Sequence, residues 1–247
     1  MQSFTLDIGN TRTKLGCFSL TGELLGVEEF TTGDWEEITK SLTNLGPGNI
    51  IYSSVANEPS VEWVDARQSE NRQVWALSGE SPLPFTSHYQ TMNTIGKDRL
   101  AALAGTCLLF PGEHFLVIDA GTCITTDLLT SDFVYHGGNI SPGLRMRLKA
   151  MHQQTARLPL VELGELQSDL GLTTETALRT GGQGGGVYEL EGLYQRLAAK
   201  WSPLNVVLTG GDALLLAQHT LLPHNLQPNL VHYGLHKIMT LYADTTV

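Results

Sequence analysis

The stretch that decides the fold is residues 2–18, QSFTLDIGNTRTKLGCF, in which two apolar segments flank the turn Gly9-Asn10-Thr11. Alternation of apolar and polar side chains predicts strands at residues 2–8 and 13–20. Glycine and asparagine tolerate the positive φ angles that a tight hairpin requires. We therefore expect an antiparallel hairpin with Asp7 at the end of its first strand, followed by a third strand over residues 23–31.

The same pattern returns midway along the chain, in residues 115–140. Strands are predicted at residues 115–119, 124–129 and 133–140, and the first of them ends in the turn Asp119-Ala120-Gly121-Thr122. Both copies have the order strand, acidic turn, strand, strand. The sequence therefore predicts two related halves.

Helices and further strands follow each copy. In the first half, helices are expected at residues 34–45, 59–67 and 97–109, and strands at residues 49–54 and 74–77. In the second half, helices are expected at residues 143–154, 174–200 and 235–242, and a strand at residues 205–208. The first helix begins with Asp34 and, three residues later, Glu37, which is a capping-box pattern. The glycine run at residues 181–186 predicts a break, a close backbone approach, or both. Strands alternating with helices indicate an α/β fold, which we divide into domains 1–110 and 111–247.

Composition limits the binding partners and the cellular compartment that we expect for this protein. The net charge of −10 and the pI near 5.2 argue against a surface for nucleic acid or anionic membrane. Three widely spaced cysteines do not resemble a disulfide framework, which favours a reducing cytoplasm. The start of the sequence lacks a basic region before its apolar residues, and the stretch at residues 100–110 is too short to span a bilayer. A soluble cytoplasmic protein is expected.

The first acidic turn has the chemistry of a phosphate site. A carboxylate at a strand end can hold a hydrated magnesium ion, and a hydroxyl with nearby backbone N–H groups can bind phosphate oxygens. Asp7 would position the metal, Asn10 and Thr11 would contact phosphates, and Arg12 and Lys14 would add positive charge. The alternative is an ordinary hairpin turn, and the second copy at Asp119 argues against it.

The segment Gly96-Lys97-Asp98-Arg99 opens an Ala-rich helix. The helix dipole favours the ionised form of Asp98 in the first turn, and an ionised carboxylate can accept a proton from an attacking hydroxyl. Arg99 can bind a substrate carboxylate bidentately. The alternative is a charged helix start stabilised by the dipole and by solvent.

Other motifs carry weaker signals. Glycines at residues 137–143 allow a close approach of backbone or ligand, and residues 209–212, TGGD, form a strand-to-helix turn that could seat a base or ribose. His232 and His236 are four residues apart but lack the Glu of a metalloprotease motif, so no zinc site is expected. Cys123 is interpreted as a small packing residue.

Five elements, taken together and in order, resemble type III pantothenate kinases. They are DIGNTRTKLG (7–16), GKDR (96–99), DAGTCITTD (119–127), GGNISPG (137–143) followed by TARLP (155–159), and TGGD (209–212). The resemblance covers residues 5 to about 212. Residues 90–95 lack the proline that this family often has there, and Cys123 stands where alanine is usual.

The resemblance implies a fold and an activity. The family belongs to the acetate kinase, sugar kinase, Hsp70 and actin superfamily, which is built from two ribonuclease-H-like domains with the active site in the cleft between them. Its members phosphorylate pantothenate with ATP in the first step of coenzyme A synthesis. They work as homodimers with composite active sites.

The resemblance also implies roles for individual residues. Asp98 matches the general base, Asp119 the acid that binds a monovalent cation (K⁺ or NH₄⁺), and Asp7 would hold Mg²⁺ through water. The pantothenate-binding positions are Tyr89, Gly96, Lys97, Asp98, Arg99 and Thr174 of the partner subunit. The ATP-binding positions are Asp7, Ile8, Gly9, Asn10, Thr11, Arg12, Thr13, Lys14 and Thr122.

Two other classes of function are open at this point. A kinase or phosphohydrolase of the same superfamily could act on another substrate, but we would expect it to lack Gly96–Arg99 paired with Tyr89. A non-catalytic relative similar to a transcriptional accessory factor would be expected to lose Asp98 or Asp119. Both acids are present, which favours the enzyme.

Overall fold

The computed structural model describes residues 2–69 and 72–244. The chain divides into two compact units, Met1–Pro111 together with Asn229–Val247, and Gly112–Pro228. Each unit contains its own five-stranded arrangement and its own helices. In the described part of the chain, no helix has both the length and the apolar character needed to cross a bilayer.

The first unit is organised around a sheet with the strand order β3-β2-β1-β4-β5. The strands are β1 (Gln2–Ile8), β2 (Arg12–Phe18), β3 (Leu24–Thr31), β4 (Gly48–Ser54) and β5 (Val74–Ala76). β1, β2 and β3 pair antiparallel, whereas β4 pairs parallel with β1 and with β5. The predicted opening of three antiparallel strands is confirmed.

Among its described residues, this unit has four α-helices. They are α1 (Trp35–Leu45), α2 (Val61–Asp65), α3 (Lys97–Leu109) and α8 (Leu230–Asp244). A two-residue strand, β6 (Thr86–Ser87), and a 3₁₀ turn, Met92–Thr94, lie between β5 and α3. The predicted cap of α1 is present, because the Asp34 side chain accepts a hydrogen bond from the backbone N–H of Glu37 at 3.3 Å.

The two faces of β1 differ in character. Phe4, Leu6 and Ile8 point to one face, where they form a buried apolar cluster with α1 and α2 side chains such as Ile38 and Trp63. Because successive side chains of a strand point to opposite faces, Ser3, Thr5 and Asp7 share the other face. One face of the sheet is therefore apolar and buried. On the other face, β1 carries a polar stripe made of Ser3, Thr5 and Asp7.

The C-terminal helix departs from the sequence-based expectation. It begins at Leu230 rather than near residue 235, and it belongs to the first unit, not to domain 111–247. α8 packs on α3, β1 and β4. The helices cross where Gly234 faces the Ala101 carbonyl and Gly105 faces the Leu230 carbonyl, and a Cβ at either glycine would collide with that oxygen. Two glycines far apart in sequence thus allow this close helix contact, which local patterns do not predict.

The second unit repeats the first strand by strand. Its strands are β7 (His114–Ala120), β8 (Cys123–Leu129), β9 (Val134–Pro142), β10 (Leu204–Thr209) and β11 (His224–Leu226). They follow the order β9-β8-β7-β10-β11, with β7, β8 and β9 antiparallel and β10 parallel to β7 and β11. β11 was not predicted, because three residues with two polar side chains carry too short a pattern. The predicted internal repeat is confirmed.

Five helical segments complete this unit. They are α4 (Leu144–Gln153), α5 (Thr174–Arg179), a π-helical segment (Thr180–Gly184), α6 (Gly185–Ala198) and α7 (Ala213–His219). The predicted break in the long helix is confirmed and takes the form of the π-helical segment. Gly182 and Gly186 face Leu148 and Leu144 of α4, so the glycines also permit a close approach.

Candidate active site

The first acidic turn is a tight hairpin that joins β1 to β2. The Gly9 N–H donates to the Arg12 carbonyl at 3.0 Å, and the Thr32 hydroxyl donates to the Gly9 carbonyl at 2.8 Å. Asn10, Thr11 and Arg12 are exposed. The expected positive φ is wrong, because neither Gly9 nor Asn10 adopts it. The hairpin is instead braced from outside by Thr32, which follows β3.

Asp7 is partly buried at the end of β1. Its Oδ1 accepts a hydrogen bond from the Ser53 hydroxyl of β4 at 3.3 Å, and Lys14 lies opposite it in the β1–β2 register. Burial, followed by the negative charge of Asp98, raises the pKa of Asp7 to about 6, whereas Lys14 and the Ser53 bond act to lower it. Lys14 also forms an ion pair with Glu29 at 3.6 Å. The structure therefore brings Asp7 and Asp98 close enough for their charges to interact.

Asp98 and Arg99 occupy the first turn of α3, as predicted. The Arg99 N–H donates to Asp98 Oδ1 at 2.8 Å. The Arg99 side chain is only 3% exposed, and its guanidinium lies over the Tyr89 ring at 5.5 Å from the centroid. Burial and the contact with the aromatic face restrict the motion of this guanidinium.

The remaining predicted residues of this segment lie beside them. Gly96 is the N-cap of α3, and both Gly96 and Lys97 are partly buried. Tyr89 is also partly buried, and its N–H donates to the Ser87 hydroxyl at 2.9 Å. The structure thus gathers the predicted substrate positions of the first unit around the start of α3.

Backbone hydrogen bonds connect the second acidic turn to its neighbouring segments. The Gly121 N–H donates to the Cys123 carbonyl at 2.9 Å, and the Gly143 N–H donates to the Thr122 carbonyl at 3.2 Å. The Asp212 N–H donates to the Ala120 carbonyl at 2.8 Å. The segments that contain Asp119, Gly143 and Asp212 were separate motifs in the sequence, and the structure joins them into one site.

Gly210 shows why the TGGD segment needs glycine. Its φ is +95°, and a Cβ there would collide with Asp119 Oδ1 and the Ala120 carbonyl. Only glycine combines this φ with so close an approach. The turn therefore packs directly against the carboxylate of Asp119.

Sequence reasoning missed two polar side chains in these sites. Ser53 bonds Asp7 from the end of β4, and Arg145 of α4 pairs with Asp212 at 3.2 Å. Burial raises the pKa of Asp212, and Arg145 partly opposes the rise. Ser53 could have been predicted from the sequence, because the end of a strand parallel to β1 must lie beside Asp7. No sequence pattern indicated Arg145.

Thr174 is exposed at the first residue of α5 in the second unit. Thr173 and Thr176 cap this helix reciprocally, and both line a cavity of about 240 Å³. The other lining residues are Glu165, Gln167, Ser168, Leu170, Leu172, Arg179 and Thr180. The cavity is rich in hydroxyl groups.

The remaining sequence-based predictions concern Cys123, His232 and His236. Cys123 is exposed, which contradicts its interpretation as a small packing residue. It begins β8 directly after the turn, where the side chain faces solvent. His232 and His236 contact the hydroxyls of Thr5 and Ser3 at 2.7 and 3.0 Å. Within residues 2–69 and 72–244, no cluster of three or more His, Cys, Asp or Glu side chains could hold a metal ion.

Comparisons with known proteins agree on a fold and a family. A protein from Sinorhizobium meliloti assigned as a 2-dehydro-3-deoxygalactonokinase superposes with a TM-score of 0.65 at 14% identity, over 97% of this chain and 99% of that one. This likeness supports the predicted fold of two ribonuclease-H-like domains.

Sequence relatives are more specific. The type III pantothenate kinase of Flavobacterium psychrophilum is 38% identical over 215 residues, or 87% of this chain and 88% of that protein. The type III pantothenate kinase of Bacteroides fragilis is 39% identical over 207 residues, or 84% of each chain. The family model for type III pantothenate kinase matches residues 3–196. The chain belongs to the type III pantothenate kinase family.

Proposed function

We propose that this chain transfers the γ-phosphoryl group of ATP to the terminal hydroxyl of pantothenate and forms 4′-phosphopantothenate in the first step of coenzyme A biosynthesis. The observation that carries the proposal is the grouping at the start of α3. There Asp98, Arg99 and Tyr89 lie together, and the charge of Asp98 acts on Asp7. A base, a fixed cation and a phosphate-site carboxylate are the parts that a hydroxyl-directed kinase requires.

Asp98 is the general base in this proposal. Its carboxylate accepts the proton as the pantothenate hydroxyl attacks the γ-phosphorus in line, the new O–P bond forms, and the bond to the ADP oxygen breaks. The Arg99 N–H bond to Asp98 Oδ1 helps to fix the carboxylate. Correct placement of the base then contributes to the rate together with its basicity.

Arg99 and Tyr89 hold the acceptor substrate. The guanidinium is almost fully buried and is fixed over the Tyr89 ring, so it can bind the pantothenate carboxylate without losing much side-chain entropy. Gly96 and Lys97, which open α3, lie next to these groups and complete this side of the pocket. Thr174 of the partner subunit supplies a hydroxyl.

The first hairpin, residues 7–14, and Thr122 bind ATP. Asn10, Thr11 and Arg12 are exposed at the turn and can reach phosphate oxygens. Thr13 is buried, and its hydroxyl lies 3.5 Å from that of Thr32, so it stabilises the hairpin from within.

The residues around Asp7 fit a hydrated Mg²⁺ ion. Burial, and secondarily the negative charge of Asp98, raises the pKa of Asp7 to about 6, and a divalent cation would relieve the repulsion between the two carboxylates. Mg²⁺ commonly binds through one or two carboxylates together with waters and phosphates, which agrees with the small number of acidic side chains present. When bound, the ion would neutralise charge on the phosphate oxygens.

Asp119 fits a monovalent cation, K⁺ or NH₄⁺. Its carboxylate and the Ala120 carbonyl oxygen both lie against Gly210. Hard cations prefer oxygen ligands, and a singly charged ion does not demand strict geometry. Asp119 would hold the ion and so reduce the negative charge beside the triphosphate.

We further propose a cytoplasmic homodimer with composite active sites and no nucleic-acid or membrane partner. Thr174 is exposed, and the nearby Leu170 and Leu172 are 77% and 95% exposed, which is unusual for leucine unless another surface covers it. The free thiols of Cys17, Cys107 and Cys123 suit a reducing compartment. The net charge of −10 disfavours polyanionic partners.

ATP consumption measured with and without pantothenate, in potassium and in sodium buffer, tests this proposal. We expect turnover that requires pantothenate and is faster in potassium. Hydrolysis that ignores pantothenate, or no turnover in either salt, would contradict the proposed activity. Equal rates in both salts would contradict only the role given to Asp119.

A further inference from the structure

The polar stripe on β1 extends away from Asp7 toward the start of the strand. Ser3, Thr5 and Asp7 share the face of β1 that lies opposite the apolar cluster. The C-terminal helix covers this face and meets it with two histidines one helical turn apart. His232 contacts Thr5, and His236 contacts Ser3.

The inner pair, Thr5 and His232, is fully enclosed. Thr5 is 0% and His232 is 1% exposed, and the Thr5 hydroxyl lies 2.7 Å from His232 Nδ1. The same hydroxyl is directed at the Gly16 carbonyl of β2 at 3.5 Å. Among the described residues, His232 Nε2 finds no hydrogen-bond partner.

The unpaired Nε2 decides how the protons are arranged. A buried N–H without a partner is rarer in proteins than a buried acceptor without one, so we assign the proton to Nδ1. The Nδ1–H of His232 then donates to the Thr5 hydroxyl, and the Thr5 hydroxyl donates to the Gly16 carbonyl. This relay joins α8 to both strands of the hairpin.

We propose that His232 is a positioning residue of the ATP site, which fixes the phosphate-binding hairpin by this relay from α8. The inference rests on the proposed function. Thr5 precedes Asp7 by two residues on the same face, which is about 7 Å along the strand. α8 also packs on α3, whose first turn carries Asp98. One helix therefore holds the two elements that present the interacting carboxylates.

The test compares variants of the full-length protein in steady-state kinetics and in amide hydrogen exchange without ligand. Thr5→Val keeps the shape of the side chain and removes the hydroxyl. His232→Leu removes the donor, and His232→Asn keeps an amide group near the position of Nδ1 and should rescue. For Thr5→Val and His232→Leu we expect about a tenfold higher KM for ATP and about tenfold faster exchange in residues 9–14. In the same two variants, the kcat and the KM for pantothenate should each change less than about threefold.

The outer pair provides the matched control. Ser3→Ala removes the contact between Ser3 and His236 on the same helix and strand, one pleat further from Asp7, and the stacking of His236 on Phe18 remains. We expect Ser3→Ala and His232→Asn to stay within about threefold of the parent in KM for ATP. The double variant Thr5→Val with His232→Leu should be no worse than either single variant, because both remove the same relay.

Several results would overturn the positioning role. One is a Thr5→Val variant whose KM for ATP and hydrogen exchange are unchanged. Another is an equal rise in the KM for ATP in Thr5→Val and Ser3→Ala. A third is a fall in kcat in Thr5→Val or His232→Leu, with the KM values for ATP and pantothenate altered alike. Failure of the proposed function is distinguishable, because a parent protein without pantothenate-dependent turnover still yields the exchange comparison.

Discussion

The two acidic turns occupy the same place in the two units, yet they are built from different groups. Each follows the first strand of its unit, which lies between an antiparallel and a parallel neighbour. Around Asp7 the neighbours are side chains with charge or hydroxyl groups, namely Lys14, Ser53 and Asp98. Around Asp119 the described neighbours include backbone from Ala120 and Gly210. The first turn is thus marked by two interacting carboxylates, and the second by a glycine that packs directly against its carboxylate.

This difference predicts how each site responds to change. A site made from charges is sensitive to protonation and to isosteric removal of a charge, because each shift of one pKa unit is worth about 1.4 kcal/mol. A site made from packed backbone is sensitive to an added methyl group, because the facing atoms cannot move away. The first turn should therefore respond most to substitutions that remove a charge, and the second turn to substitutions that add side-chain volume.

The largest effect should come from Asp98→Asn, which removes the proposed base and keeps the side-chain shape. We expect kcat to fall about 10²- to 10⁴-fold, with pantothenate binding by calorimetry retained. Because the charge of Asp98 helps to raise the pKa of Asp7, that pKa should also fall, which carboxyl NMR can measure. A variant with parental turnover would refute the assignment of the base.

The second unit should be most sensitive at Gly210. Gly210→Ala places a methyl group against Asp119 Oδ1 and the Ala120 carbonyl at a φ of +95°, and we expect a loss of about 2–4 kcal/mol in the free energy of unfolding. Urea denaturation followed by the fluorescence of Trp201, which packs on the core of this unit, is a suitable measurement.

The adjacent glycine gives the control for this measurement. A Cβ at Gly211 would meet nothing within 4 Å, so Gly211→Ala should change the free energy of unfolding by less than about 1 kcal/mol. Similar losses in both variants would mean that the TGGD turn is not packed against Asp119 as the structure has it.

The repeat and the acids at its turns could be predicted from sequence, because both follow from local alternation and from short motifs. The C-terminal helix could not be assigned, since its place depends on Gly105 meeting Gly234 across more than a hundred residues. The histidines of α8 were judged only as possible metal ligands. Their hydroxyl partners on β1 are more than two hundred residues away, and no local pattern links them.

Asp7→Asn should stabilise the protein at neutral pH, in contrast to Gly210→Ala. The native pKa of Asp7 is raised from 3.8 to about 6, so the folded state binds more protons than the unfolded state between these values. Stability is therefore lost as pH rises through this range and stays lost above it. We expect Asp7→Asn to raise the free energy of unfolding by about 1–3 kcal/mol at pH 7.5 and by nothing near pH 3.5, as measured by urea denaturation. A destabilised variant at pH 7.5 would contradict the buried, repelled carboxylate.

Asp7→Asn should also reveal the contribution of His232 to the pH dependence of stability, which has the opposite sign to that of Asp7. Burial, and secondarily Lys14, lowers the pKa of His232 from 6.5 to about 4, so the unfolded state binds the extra proton. This contribution to stability is present above pH 6.5 and is lost as pH falls toward 4. In the parent the two slopes largely cancel, whereas Asp7→Asn should become steadily more stable from pH 4 to 6.5. A flat profile in this variant would show that His232 is not held neutral.

The smallest effect should come from Arg145→Met, which removes the cation paired with Asp212 beside the second turn. Arg145 is 64% exposed, so water and salt screen the pair, and we expect a loss below about 1 kcal/mol. The loss should shrink further at high salt and at a pH low enough to protonate Asp212, since the pair acts only on the ionised carboxylate. The sign is opposite to that of Asp7→Asn, because one change removes an attraction at the surface and the other a repulsion in a partly buried site. A loss above about 2 kcal/mol that persists in high salt would mean that the ion pair is shielded from solvent and that charge, besides backbone packing, stabilises the second site.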